Sequence, residues 1–169
     1  QDGGNEISGG AGDDTIDIET FPGDGLGGNH IDAGAGNDTI TAQEGDTVLG
    51  GEGNDVIDGV TGDSSADVID GGAGDDTITF GGAAEVAGGA GSDAFHLDPG
   101  DSSEGTATLS DYEYGETITL DGLASGEAVT QALAGDGSGL SIYAGGDAAV
   151  FLTGVGRLLT AEELPQAYA

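Results

Sequence analysis

Single aliphatic residues recur through the first hundred positions of the chain, mostly eight or nine residues apart, between glycine-rich polar runs. They are Ile7, Ile16, Ile31, Ile40, Val48, Ile57, Ile69, Ile78, Val86 and Phe95; only the steps from Ile16 to Ile31 and from Ile57 to Ile69 are longer. Each lies in a run of about three residues. The period-2 geometry of a strand turns the aliphatic inward and its neighbours outward. Ile16, Ile40, Ile57, Ile78 and Phe95 follow well-formed glycine-aspartate loops, and the alternate positions follow degraded ones. Two such units therefore make one turn of a flattened coil. Stacked turns predict two short parallel sheets facing each other, an all-β, two-sheet solenoid.

The loops carry the second pattern. Gly50 to Asp58 reads glycine, glycine, any, glycine, any, aspartate, any, aliphatic, any. Gly9 to Asp17, Gly71 to Thr79 and Gly88 to His96 repeat it without a miss, and Ala33 to Thr41 lacks only the first glycine. A six-residue reversal needs positive φ angles and close backbone approach, which glycine permits. The same turn points several carbonyls to one side, and the sixth-position aspartate adds a carboxylate. Such hard oxygen donors suit calcium, which takes six to eight of them at about 2.3–2.6 Å. All five loops fall on one edge of the coil, with Asp14, Asp38, Asp55, Asp76 and Asp93 as side-chain ligands. One loop offers part of a shell and its neighbour completes it, so five loops predict roughly four ions. Asp13 and Asp75, at the fifth position, are expected to supply carbonyls and keep solvated side chains. On the opposite edge the sixth position holds Asn29, Asp46, Asp67 and Ala84, and both longer steps insert there. At best Asp46 and Asp67 make one weak extra site.

Composition changes the picture in one respect. The formal net charge is −32, with 33 Asp and Glu against a single Lys or Arg. Phosphate recognition needs cations, so nucleic acid is excluded as a partner, and anionic membrane surfaces are disfavoured. The 37 glycines make ordering costly, and one small aliphatic per repeat is a thin core. The metal-free chain is expected to be expanded, with folding coupled to ion binding. There is no cysteine, so no disulfide replaces the missing stability, and no apolar run is long enough to span a membrane. Gly3 to Ile7 resembles the tail of a further repeat, which suggests a piece of a longer protein.

Residues 1–98 are read as the repeat domain and 99–169 as a second region, where alternating β-type runs replace the nonapeptide. Thr106 to Ser110, Thr117 to Leu120, Leu140 to Tyr143 and Ala148 to Leu152 predict strands, with a hairpin turn at Gly145-Gly146-Asp147. Thr160-Ala161-Glu162-Glu163 fits a capping box, with Leu159 and Leu164 at the staple positions, and Pro165 limits any helix to about one turn. An open solenoid end needs a cover, so this region is expected to be a β-rich cap.

The nonapeptide is a recognised calcium-binding β-helix repeat, and residues 9–96 resemble the RTX family of type I secreted bacterial proteins. Ser110 to Leu120 is similar to that family's "DF-x-x-G-x-D-x-I-x-L" run, with Tyr112 for Phe and Glu116 for Asp. Leu152-Thr153-Gly154-Val155 and Leu159 to Leu164 resemble the family's C-terminal segments, without the usual aromatic ending. The resemblance implies a right-handed parallel β-roll in which odd-position carbonyls of one loop and the aspartate of a neighbour share each calcium. The carbonyls would be those of Gly9, Ala11 and Asp13; Ala33, Ala35 and Asn37; Gly50, Glu52 and Asn54; Gly71, Ala73 and Asp75; and Gly88, Ala90 and Ser92. It also implies export unfolded through a type I channel and folding outside the cell.

No catalytic constellation stands out. His30 and His96 are strand-flanking, outward positions on opposite sheets, and neither a zinc-protease helix motif nor a nucleophile elbow is present. Gly23 to Gly28 matches G-x-G-x-x-G by chance, since it precedes no helix and carries Asp24. Arg157 is expected to satisfy a local carboxylate or carbonyl. Two functions remain: a calcium-dependent folding and secretion module for a parent protein whose enzymatic domain lies upstream, or an adhesion module that binds a glycan or surface through Phe21 and the insertion edge.

Overall fold

The computed structural model describes residues 4–18, 27–43, 45–59, 66–98, 105–123, 128–144 and 147–165. Fifteen strands among them form two sheets and no helix. Chain order alternates between the sheets: β1 (Glu6–Ala11), β3 (His30–Ala35), β5 (Thr47–Glu52), β7 (Val68–Ala73), β9 (Glu85–Ala90) and β11 (Ala107–Leu109) lie in the first. β2 (Thr15–Asp17), β4 (Thr39–Thr41), β6 (Val56–Asp58), β8 (Thr77–Gly81), β10 (Ala94–Asp98) and β12 (Thr117–Leu120) make up the second. All these neighbours pair in parallel, so each loop-and-return winds one turn of a β-solenoid, as the aliphatic spacing predicts.

The register stacks like on like. Ile7, Ile31, Val48, Ile69, Val86 and Leu109 form one inner column, and Ile16, Ile40, Ile57, Ile78, Phe95 and Ile118 the other. From Ile31 and Ile40 onward these side chains are buried, while Ile7 at the first turn is half-buried. Toward the cap the core widens: Phe80, Leu97 and Leu120 add a second inner column, and Phe80 meets Phe95 edge-on at 6.3 Å. Strands of the second sheet begin at three residues, but those of β1 through β9 in the first sheet run to six. The extra length is the Gly-Gly-x start of each loop, whose backbone still meets the next turn (Gly10 with Gly34, Gly34 with Gly51).

Parallel pairing continues past residue 98 through β11 and β12, which stack on β9 and β10. Beyond β11 the first sheet is completed by β15 (Asp147–Thr153), parallel to β11, and then by the antiparallel β14 (Gly139–Ala144) and β13 (Val129–Leu133). The expected pairing of the last two strong β runs is present, with Ala144 opposite Asp147; the turn at 145–146 lies outside the described residues. β13 is an addition to the sequence reading. The second sheet ends at β12, whose Ile118 amide donates to the carbonyl of Glu163 at 2.8 Å. The capping box forms one hydrogen-bonded turn and no helix. The Thr160 amide donates to Glu163 Oε2 at 2.8 Å, and the Leu164 amide to the Thr160 carbonyl at 2.9 Å. Leu159 and Leu164 are buried beneath it. Arg157 grips Glu163 with both terminal nitrogens at 2.9 and 2.6 Å, donates to the Leu158 carbonyl, and lies 4.0 Å over the Tyr114 ring. The only Lys or Arg of the chain is thus committed to the 160–163 turn and Tyr114.

Candidate metal centre

The five glycine-aspartate loops stack on one edge, as the spacing requires. Second- and fourth-position glycines have positive φ in every loop, for example +113° at Gly51 and +127° at Gly53. A Cβ on either would strike the carbonyl of its counterpart in the preceding turn, Gly34 or Gly36. Glycine here sets both the bend and the tight rise between turns.

The sixth-position aspartates form a ladder. The amide of Asp14 donates to Asp38 Oδ1 at 2.7 Å, that of Asp38 to Asp55 at 2.8 Å, that of Asp55 to Asp76 at 2.8 Å, and that of Asp76 to Asp93 at 2.9 Å. One oxygen of each carboxylate from Asp38 onward is therefore fixed by the turn before it. The other, Oδ2 of Asp14, Asp38, Asp55, Asp76 and Asp93, is buried with no hydrogen-bond partner. Burying such an oxygen unpaired is costly unless something else neutralises it.

The first-position glycines show where these oxygens point. A Cβ at Gly9 would meet Asp14 Oδ2 at 2.8 Å and the Ala33 carbonyl at 2.6 Å. At Gly50 it would meet Asp55 Oδ2 and the Gly71 carbonyl, at Gly71 Asp76 Oδ2 and the Gly88 carbonyl, and at Gly88 Asp93 Oδ2. At these four glycines a carboxylate oxygen, joined at Gly9, Gly50 and Gly71 by a first-position carbonyl of the next loop, thus crowds a space where a methyl group would clash. Ala33, the one departure at this position, buries its methyl there completely. Among the described residues no three His, Cys, Asp or Glu side chains converge on one point. A cation on this edge must draw most of its shell from backbone carbonyls. That donor set, hard and oxygen-only, fits calcium.

The other predicted donors are placed differently. Third-position carbonyls of Ala35, Glu52, Ala73 and Ala90 accept the fourth-position glycine amides of Gly12, Gly36, Gly53 and Gly74 at 2.7–2.8 Å. A second lone pair remains on each. Fifth-position side chains are exposed, as expected of Asp13 and Asp75, but they are not idle. Asn37 N donates to Asp13, Asn54 N to Asn37, Asp75 N to Asn54, and Ser92 N to Asp75, at 2.8–3.0 Å. This outer ladder runs in the opposite sense to the aspartate ladder. Sequence inspection missed it, although the recurrence of Asp or Asn at that position was its signal.

On the opposite edge Asn29, Asp46 and Asp67 are buried and make a third ladder. Asp46 Oδ1 accepts from the Asn29 amide and Oδ2 from the Gln43 amide, at 2.8 and 2.9 Å. Both oxygens of its carboxylate thus accept backbone amides, unlike the orphaned Oδ2 atoms of the glycine-aspartate edge. Phe21 and the run from Gly23 to Leu26 lie outside the described residues. His30 and His96 sit outward on opposite sheets, and His96 Nδ1 lies 3.2 Å from Asp121 Oδ2.

Electrostatics follows burial. Burial pushes the Asp55 carboxyl above its ordinary pKa; the Asp38 amide offsets part of this, and the Asp38 charge adds to it. Asp76 rises to about 6, chiefly from burial, with the charges of Asp55 and Asp93 contributing. Glu116 rises to about 7, first from burial and then from the carboxylate of Asp93 against it. Glu163 moves the other way, to about 2, because Arg157 binds it.

No curated protein sequence matches the chain. The model of the RTX calcium-binding nonapeptide repeat matches four copies, over residues 1–17, 24–57 and 49–84. Together with the stacked loops and their orphaned carboxylate oxygens, this identifies the chain as carrying a calcium-binding β-roll of the RTX type.

Proposed function

We propose that this module folds when it meets calcium, and that the ions bind between successive turns of the glycine-aspartate edge. The observation that carries this reading is the column of five buried, unpartnered Oδ2 atoms. Each ion would be held by the carboxylates of Asp14, Asp38, Asp55, Asp76 and Asp93 and by first-position carbonyls such as those of Ala33, Gly71 and Gly88. Carbonyls of the third and fifth positions complete the shell. Roughly four ions fill the gaps between five loops. Without them, like-charged carboxylates stack about one turn apart in a low-dielectric setting, which opposes the compact state.

In this reading the module is a compartment switch. Extracellular calcium modules bind with Kd of about 10⁻⁴–10⁻³ M, so the chain stays unfolded where calcium is scarce and folds outside the cell. That behaviour suits passage through a type I export channel and the folding of parent domains on the far side. The region 99–169 carries the coil on by one turn through β11 and β12, and the part beyond β12 acts as the cap that ends it. Isothermal calorimetry tests the metal assignment. Calcium should bind at several sites per chain in that affinity range and magnesium far more weakly; no calcium heat, or equal magnesium binding, contradicts it.

A further inference from the structure

The sixth turn has none of the glycine-aspartate pattern, yet it stays in step with the fifth. A constant offset of 23 residues relates Glu85 to Thr108, Gly88 to Asp111, and Ala94 through Leu97 to Thr117 through Leu120. Run 111–116 therefore lies over loop 88–93, position for position, with Glu116 over Asp93. Asp111 takes the first position, where its carboxylate accepts the amides of Gly88 and Gly89 at 3.0 and 2.8 Å and ends the strand edge. Glu116 takes the sixth. Its carboxylate lies against that of Asp93 and accepts the Glu113 amide at 2.8 Å.

Asp93 and Glu116 are 2% and 5% exposed, and Asp93 Oδ2 has no hydrogen-bond partner. Two buried carboxylates in contact must share a proton or hold a counter-charge, and a bound cation is the arrangement that keeps both ionised. The protein supplies none: its single Lys or Arg is Arg157, committed to Glu163, and His96 projects outward to Asp121. We infer that a divalent cation binds between Asp93 and Glu116, one turn beyond the last glycine-aspartate loop, so that the metal column ends on a glutamate. The inference rests on the calcium reading of the edge below it. The glutamate's extra methylene gives reach where Tyr112 and Tyr114 replace the second and fourth glycines.

Equilibrium dialysis of the full chain against calcium tests this, comparing Glu116→Gln and Asp55→Asn with the unaltered chain. Glutamine keeps the size and an acceptor oxygen for the Glu113 amide. Glu116→Gln should bind one calcium fewer, with its far-UV spectrum at saturating calcium retained. An unchanged count in Glu116→Gln beside a reduced one in Asp55→Asn overturns the terminal site and leaves the lower sites standing. If the unaltered chain binds no calcium, the underlying reading falls as well. A second readout needs no variant. Tyr112 donates to the Glu116 carbonyl at 3.0 Å, so terbium bound at this position should emit when tyrosine is excited, and calcium should displace it. Terbium binding without tyrosine-sensitised emission overturns the site.

Discussion

The amide of Asp38 donates to Oδ1 of Asp55 across 2.8 Å, while Oδ2 of Asp55 is buried and accepts nothing. One side chain thus does two jobs: it joins turn to turn by a hydrogen bond and presents a bare oxygen toward the next turn's carbonyls. Asp55→Asn should separate them. The amide oxygen can still accept from Asp38, but an NH₂ group would occupy the ligand position. The expected cost is about 1–3 kcal/mol, roughly five- to hundredfold in the calcium needed for half-folding. Calcium titration followed by circular dichroism measures the midpoint, and an unshifted curve removes Asp55 from the ligand set.

The glycines at equivalent positions should not be equally sensitive. Gly10 and Gly51 share a positive φ, +102° and +113°, but a Cβ at Gly10 has nothing within 4 Å, whereas one at Gly51 collides with the Gly34 carbonyl. Gly10→Ala should cost about 1–3 kcal/mol of backbone strain. Gly51→Ala must in addition push two turns apart and should cost more. Thermal melts at saturating calcium compare them; equal losses contradict the close stacking.

Acid should partly replace calcium. The folded-state pKa of Asp76 is raised from 3.8 to about 6. Its protonated form therefore favours the coil, and the penalty it imposes on the metal-free fold grows from about pH 4 and is complete above about 6. In chelator, the β signal should be stronger near pH 4.5 than at pH 7.5. Calcium affinity should fall over the same interval as protons compete. A metal-free chain equally unfolded at both pH values contradicts this.

The cap titrates with the opposite sign. Glu163 is depressed to about 2 by Arg157, so its contribution is full above its ordinary 4.5 and lost as pH falls toward 2. Glu163→Gln should destabilise the cap by about 1.5–3 kcal/mol. Tyrosine fluorescence reads the change, since Tyr114 stacks under Arg157. Unaltered tyrosine unfolding in that variant contradicts a clamping role.

Much of the fold was legible because a solenoid repeats its physics. Ile57 and its neighbours at the same loop position had to stack, and Gly51, Gly53 and Asp55 had to bend the chain and face one edge. What escaped had a weaker signal. Residues 111–116 lack the glycines of the other loops, so only the register of β11 and β12 identifies them as a further turn and Glu116 as a member of the carboxylate column. β13 escaped because Leu133 and Ala132 remain exposed and the run shows no clean alternation. The outer ladder through Asn37 and Asn54 escaped because Asp and Asn are ordinary turn residues, and only stacking gives them partners.

Coupling of folding to calcium is tested most directly by far-UV circular dichroism of the full chain during a calcium titration, followed by excess chelator. The spectrum should be largely unordered without calcium, change cooperatively to β as sites fill, and revert on adding chelator. A β spectrum present before calcium and unmoved by chelator would contradict that coupling.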